Sequence, residues 1–416
     1  MREIIDRGVR LPLLKKPAAK RPIVRLKNVT KISLPLGIAG SYTLLVEVGD
    51  PVTIGMALGT RDDMPLCSVD GLFEGVRTAR HPIFGEMDFA VVGAVSSTTP
   101  TPAPMPKSPE DMTPDDLLAV IDAARVMDEL DGTPLIDKLR DWKEQGCDLV
   151  IGDAVEPESY ASSGWALLRH YAYEIYQGLQ WIQQAIGAHG SLIAIQNKFK
   201  HIQTLKDRVG ENHVYGARRL FPVDRFAPES ADGLRQLRVG VQAAYAVYRA
   251  VSYGIPHTET VLTVAGDAVD FSTNLQVPIG ASVDDILKRC GLVAEPDAMV
   301  FGDVMTGIAI DSAEHAVYAG VTCLLCVTEP KIKPRPCIGC GRCAAACHQN
   351  LLPYEIAREL ENLHYEQLPR LRAERCDGCG ACSFVCPSAR DVVSAVLEAG
   401  HIHGDVVFQV GGDDDA

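Results

Sequence analysis

The 416-residue chain is 47% hydrophobic and 23% charged, a globular composition, and it exceeds the size at which a single core stops growing, so several domains are expected. A formal charge of −14 argues against nucleic acid or an anionic membrane surface as the main partner, because both select clustered lysine and arginine. No uninterrupted apolar run reaches the roughly 18 residues of a membrane span, and residues 1–10 carry charges where a signal peptide needs an apolar core, so the chain reads as cytoplasmic.

Residues 1–30 read as an N-terminal extension. Short apolar runs at 42–48, 52–58, 71–76 and 89–92, separated by the turn signals Gly49-Asp50-Pro51 and Asp70-Gly71, predict an all-β domain over 31–96. Six prolines between 97 and 116 make that stretch a semi-rigid linker, and Thr113 before Pro114 opens a helix. From 117 to 256 helical patterns alternate with β-rich runs, as in 148–152, 164–186 and 191–196, which predicts a parallel sheet flanked by helices. Strands at 261–264 and 275–277 and a Ser282-capped helix through Arg289 predict a small separate α+β unit within 257–328. Residues 329–400 are the cysteine-rich module, and 401–416 read as a solvated acidic tail. In that tail His401 and His403 would share a strand face as an exposed polar pair, a poor metal site by themselves.

The chain has 13 cysteines, an odd number, and eight of them sit in two dense runs, which reads as metal ligation in a reducing compartment. The runs are Cys337-Ile-Gly-Cys340-Gly-Arg-Cys343-Ala-Ala-Ala-Cys347 and Cys376-Asp-Gly-Cys379-Gly-Ala-Cys382-Ser-Phe-Val-Cys386, both with the spacing of two-cluster ferredoxins. Two-residue gaps wrap three thiolates around one [4Fe–4S] cubane, and the fourth cysteine ligates the other cluster. The expected sets are therefore crossed: Cys337, Cys340, Cys343 and Cys386 for one cluster, Cys376, Cys379, Cys382 and Cys347 for the other. Gly339, Gly341, Gly378 and Gly380 let the backbone pass close to a bulky cluster. The alternative is a pair of zinc sites built from the C-x2-C pairs, which leaves the eight-cysteine spacing without a reason.

The first run ends Cys347-His348, where the second ends Cys386-Pro387. Between the runs, Leu352, Ile356, Leu360 and Leu363 recur at helical spacing. Cys323 and Cys326 precede the module as either an extra redox pair or buried small hydrophobes, and Cys67, Cys147 and Cys290 read as packed.

The order of segments resembles the RnfC family, peripheral subunits of ion-pumping NADH:ferredoxin oxidoreductases, and within that likeness it is closest to the electron-transfer protein associated with proline reductase (PrdC-like). Val48-Gly-Asp-Pro-Val-Thr-Ile-Gly-Met-Ala-Leu58 followed by Ser68-Val-Asp-Gly-Leu-Phe-Glu-Gly-Val76 resembles the family's lipoyl-like barrel-sandwich hybrid domain. The hairpin Val69-Asp70-Gly71 lacks the lysine of a swinging arm. Asp148-Leu-Val-Ile-Gly-Asp-Ala-Val-Glu-Pro157 and the helix from Val239 to Val251 resemble its Rossmann-like α/β core. Thr263-Val-Ala-Gly-Asp-Ala-Val269 through Ile279-Gly-Ala-Ser282 resembles the soluble-ligand-binding β-grasp (SLBB) domain.

The resemblance implies a multidomain α/β and α+β fold: barrel-sandwich hybrid at 31–96, Rossmann-like core at 117–256, SLBB domain with return strands at 257–328, and the two-cluster module at 329–400. It also implies FMN and NADH as further cofactors. The chain departs from the family at Asp128-Glu-Leu-Asp-Gly-Thr-Pro-Leu135, where the membrane complex's subunit has a glycine-rich stretch that admits phosphates; here acidic side chains would repel one. Glu156 reads either as a ribose or nicotinamide contact or as part of a plain helix start.

The expected function is a one-electron relay from a nicotinamide- or flavin-linked donor through two [4Fe–4S] clusters to a partner reductase of the proline-reductase type, with a redox partner protein that is either a reductase or a ferredoxin-like donor. The alternatives are an NADH-oxidising subunit of a membrane-bound Rnf-type pump, peripheral to the membrane, and a zinc-stabilised interaction module. No P-loop, H-E-x-x-H or G-x-S-x-G motif offers another catalytic chemistry.

Overall fold

A computed structural model describes residues 7–61, 63–96, 100–102, 105, 107–197, 201–223, 225–328 and 332–410. The alternating helical and β-rich runs of the middle region form a four-stranded parallel sheet in the order Val214–Ala217, Gly190–Gln196, Leu149–Ala154, Gln236–Gly240. Leu149–Ala154 is a central strand, which explains its near-continuous apolar text. The chain leaves it for one neighbour through the Ser163–Ile186 helix and later returns to its other side, so the strand order reverses there.

The Ser163–Ile186 and Val241–Tyr253 helices pack on each other, burying Ile175, Leu179, Ile182, Val247 and Val251 completely. Gly178 sets how closely they approach: a Cβ there would stand 1.9 Å from the Ala244 carbonyl oxygen. The Val241–Tyr253 helix follows directly from the carboxyl end of a strand and the Ser163–Ile186 helix follows another through the loop 155–162, and both N-termini face one cleft. The helix opened by Thr113 is Pro114–Ala123, with Thr113 Oγ1 accepting from the Asp116 amide and the Asp116 carboxylate accepting from the Thr113 amide.

Two further sheets share one core. Lys31–Gly37, Gly85–Ser96, Asp70–His81 and Pro51–Val52 make an antiparallel sheet around a long hairpin. The second sheet runs Val24–Arg25, Thr273–Pro278, Glu259–Ala265, Cys323–Val327, Ala298–Phe301, Ile308–Ile310. Ile32, Phe73 and Val92 of the first join Leu262, Val277 and Leu324 of the second, and Ile286 of the Val283–Cys290 helix, in one hydrophobic cluster. The separate α+β unit expected over 260–291 is thus part of a larger sheet, and the extension contributes a strand to it.

Other local expectations need correction. Residues 42–48 form no strand; Leu44 makes a single bridge to Gly59, and Leu45 and Val48 are exposed, so the run crosses an open end of the sheet. Residues 392–410 form one helix, Val392–Val410, so the strand face expected for His401 and His403 does not exist. The remainder of the expected tail, 411–416, lies outside the described residues. Cys67, Cys147, Cys290, Cys323 and Cys326 are buried, and burial pushes the Cys326 thiol up to about 12. Among the described residues no helix is long and apolar enough to cross a membrane.

Gly178→Ala should lower stability by about 1–3 kcal/mol, because the added methyl must push the two helices apart. A urea midpoint unchanged from wild type would show that the crossing is looser than described.

Candidate metal centre

The module begins with nine exposed residues, 332–340. Each cysteine run then makes the same turn: Gly339 and Gly341 hold φ of 67° and 69°, Gly378 and Gly380 hold 72° and 74°, a left-handed conformation that glycine adopts without steric cost. A short helix follows in each case, Arg342–Ala346 and Ala381–Phe384, and carries the chain from the third cysteine to the fourth.

The turns bring the eight sulfurs together in two groups. One cavity is lined by Cys337, Cys340, Cys343 and Cys386. The other is lined by Cys347, Cys376, Cys379 and Cys382. Each therefore takes three cysteines from one run and the fourth from the other, the donor set of a [4Fe–4S] cubane in a two-cluster ferredoxin. Burial pushes the Cys379 and Cys382 thiols up to about 12. The Gly339 amide donates to Cys337 Sγ at 3.5 Å.

The two cavities differ in setting. Cys337 and Cys340 are exposed, whereas Cys379 packs in a cluster with Val9, Leu11, Phe221, Met305 and Val385, where the module meets the rest of the chain. His348, at the position occupied by proline in the second run, pairs through Nε2 with Asp377 Oδ2 at 2.7 Å and sets Nδ1 3.9 Å from Cys379 Sγ. Those three side chains could hold a metal ion together, but Cys379 cannot serve both that group and the four-cysteine set. The helix between the runs, Pro353–Glu361, buries Ile356 and Leu360, while Leu352 and Leu363 lie outside it and are exposed.

Beyond this contact a cleft of about 570 Å³ opens at the carboxyl ends of Leu149–Ala154 and Gln236–Gly240. That is where strand order reverses, the usual ligand position in open α/β sheets. Both helix N-termini there are occupied by the chain's own carboxylates. Glu129 accepts from the Gln242 and Ala243 amides at 2.6 and 2.9 Å, and Asp128 accepts from the Gly240 amide at 2.9 Å. Burial first, then the charge of Asp128, pushes Glu129 up to about 8 against the pull of the two amides.

Glu156, with φ of 41°, accepts from the Gly164 amide at 2.8 Å and from Ser163 Oγ at 3.2 Å. Of the two readings of Glu156, the geometry gives the helix start. Lys15 of the extension, completely buried, donates to the Ala161 carbonyl oxygen close to Glu156; nothing in its sequence context signalled this.

A nucleotide's phosphates do not fit this cleft. Its lining carries Glu129, Asp131, Asp153, Glu156, Glu158 and Asp303 against Arg238, which is committed to Asp153 at 2.6 Å and stacks on Phe226. The amides that would receive a phosphate already donate to carboxyl oxygens of the chain itself.

Comparison with known proteins gives these features a family context. The family described as "4Fe-4S dicluster domain" matches residues 336–389. The chain is similar to a subunit of the Na(+)-translocating ferredoxin:NAD(+) oxidoreductase complex of Acetobacterium woodii, 25% identical over 84% of this chain and 86% of the relative. It is also similar to a subunit of the ion-translocating oxidoreductase complex of Rhodobacter capsulatus, 29% identical over 60% of this chain but only 52% of that one, so it spans about half of that relative. A third relative is a subunit of the proton-translocating ferredoxin:NAD(+) oxidoreductase complex of Clostridium ljungdahlii, at 24% over 82% and 80%. Among solved structures, an NAD+-reducing [NiFe]-hydrogenase in the H2-reduced state aligns with a TM-score of 0.44 and 15% identity over 74% of this chain and 63% of its own. The chain therefore has homologues among RnfC-family subunits and carries a 4Fe–4S dicluster domain.

Protein purified anaerobically should retain no FMN, and NADH added without oxygen should leave its visible absorbance unchanged. Flavin released on acid denaturation, or bleaching by NADH, would contradict the occupied helix termini.

Proposed function

We propose that this chain is an iron–sulfur electron-transfer subunit of an ion-translocating ferredoxin:NAD+ oxidoreductase of the Rnf type, working among partner proteins in a complex. The observation that carries this reading is the pair of cavities, each lined by four cysteines drawn from both runs. The names of the relatives supply its context, and they favour the Rnf-type reading over the proline-reductase one.

In this reading Cys347, Cys376, Cys379 and Cys382 hold an inner cluster against the body of the chain, and Cys337, Cys340, Cys343 and Cys386 hold an outer one. Electrons pass between them one at a time. The clusters supply the redox chemistry, and the protein holds them at fixed separation, excludes water from the inner one and donates amides to sulfur. No step in this chain is assigned to a nucleotide. The sheet of 31–96 and the sheet that contains 257–328 are read as the barrel-sandwich hybrid and SLBB domains of the resemblance, while the module packs on Val9, Leu11, Phe221 and Met305.

One observation favours a second reading, a relay to a soluble reductase such as proline reductase. The carboxylates at both helix N-termini suit a chain whose electrons arrive from another protein instead of from NADH.

Crossed ligation separates these readings from zinc sites and from a sequential ligand assignment. Cys347→Ala and Cys376→Ala should each leave the same single cluster, about four irons per chain, with one shared EPR spectrum in the reduced state. Cys386→Ala and Cys337→Ala should both leave the other. A Cys347→Ala spectrum that matches Cys337→Ala would refute the crossed sets.

A further inference from the structure

The charge of this chain is unevenly placed. Between Glu329 and Glu355 the sequence has no acidic residue, while Lys333, Arg335 and Arg342 set three cations beside the first cysteines along the chain, in a protein of net charge −14. Every residue from 332 to 340 is exposed, including Cys337 and Cys340. Ile332 and Ile338 are 64% and 70% exposed, apolar side chains left in water on either side of the lysine and arginine. Among the described residues no ion pair engages Lys333, Arg335 or Arg342. The backbone is anchored, with the Arg335 amide donating to the Ser388 carbonyl oxygen at 2.9 Å and Ser388 Oγ to the Pro336 carbonyl oxygen at 3.0 Å. The face is therefore presented by a held loop.

We infer that this basic face over Cys337 and Cys340 is the docking surface for a small acidic one-electron carrier protein. The inference rests on the iron–sulfur reading above and names its partner. A single-sign patch on a chain of the opposite net charge steers a complementary partner to one orientation and raises its rate of encounter. Transient redox encounters bury little area, below about 1,200 Å², which suits two isoleucines set among charges. In the exchange the carrier's reduced centre loses one electron and the outer cluster gains it; no bond is made or broken.

The other occupant such a patch could take is an anionic membrane, where each cation near the surface contributes about 1 kcal/mol. The carrier is favoured because the patch encloses two cluster cysteines. Electron exchange requires that proximity, and lipid adhesion does not.

Stopped-flow reduction of the anaerobically prepared full chain by a prereduced acidic 2[4Fe–4S] ferredoxin tests this. Lys333→Glu/Arg335→Glu should slow the second-order rate by at least about tenfold at low salt and flatten its dependence on ionic strength, with Lys333→Gln/Arg335→Gln intermediate. Iron content and the rate with dithionite should match wild type. A carrier rate unchanged by the charge reversal would overturn the proposal, as would equal slowing with dithionite. So would an unchanged carrier rate coupled with loss of co-sedimentation on phosphatidylserine vesicles, which would give the face to a membrane. Wild-type protein without reducible clusters would instead remove the underlying iron–sulfur reading.

Discussion

Thiolates buried close together repel one another and lose their hydration, so they gather only around something positively charged. The C-terminal module is organised by that constraint. Its own apolar core is small, built from residues such as Leu351, Ile356, Leu368 and Val396, with Cys343 and Cys382 inside it. Each four-cysteine cavity draws its last cysteine from the other run, so in the proposed ligation neither half of the module would close without the other, and metal binding would be coupled to folding. The docking of the module follows from the same arrangement: the helix that bears Cys382 puts Ala381 and Val385 against Val9, Leu11 and Phe221.

The cleft next to that contact shows the opposite electrostatic solution. Two helix N-termini meet there, each a site of partial positive charge. In dinucleotide folds that charge is met by ligand phosphate; here Glu129 and Glu156 meet it from within the chain. The amide donors at both helix starts are thus satisfied by carboxyl oxygens of the chain itself. Residues 332–340, with Lys333 and Arg335, are exposed and are not among those that line the acidic cleft. Together these features suit the proposed relay between proteins.

The features legible in the sequence were those with local physical causes. C-x2-C-x2-C-x3-C spacing depends on a turn of a few residues, and the two cavities group the eight cysteines three and one, as that spacing led us to expect. Thr113-Pro114, Ser282 and the run at 148–152 marked their elements because caps and buried parallel strands are written in adjacent residues. Where partners are distant, the text was silent. Glu129 meets amides 113 and 114 residues away, Lys15 reaches Ala161, and Val24 pairs with Leu275. The acidity of 128–131 was readable as hostile to phosphate, but not as two helix caps. Residues 42–48 have the apolar alternation of a strand but pair only briefly with 58–60, through a single bridge, and 392–410 took helical form where a polar pair had suggested extended chain.

Everything above turns on eight cysteines holding two cubanes. The most direct measurement is iron, acid-labile sulfide and zinc analysis of the full chain purified without oxygen, combined with Mössbauer spectroscopy. The crossed four-cysteine sets predict about eight irons and eight sulfides per chain, in the quadrupole doublets of [4Fe–4S] clusters, and no stoichiometric zinc. About two zinc ions per chain with iron absent would contradict them.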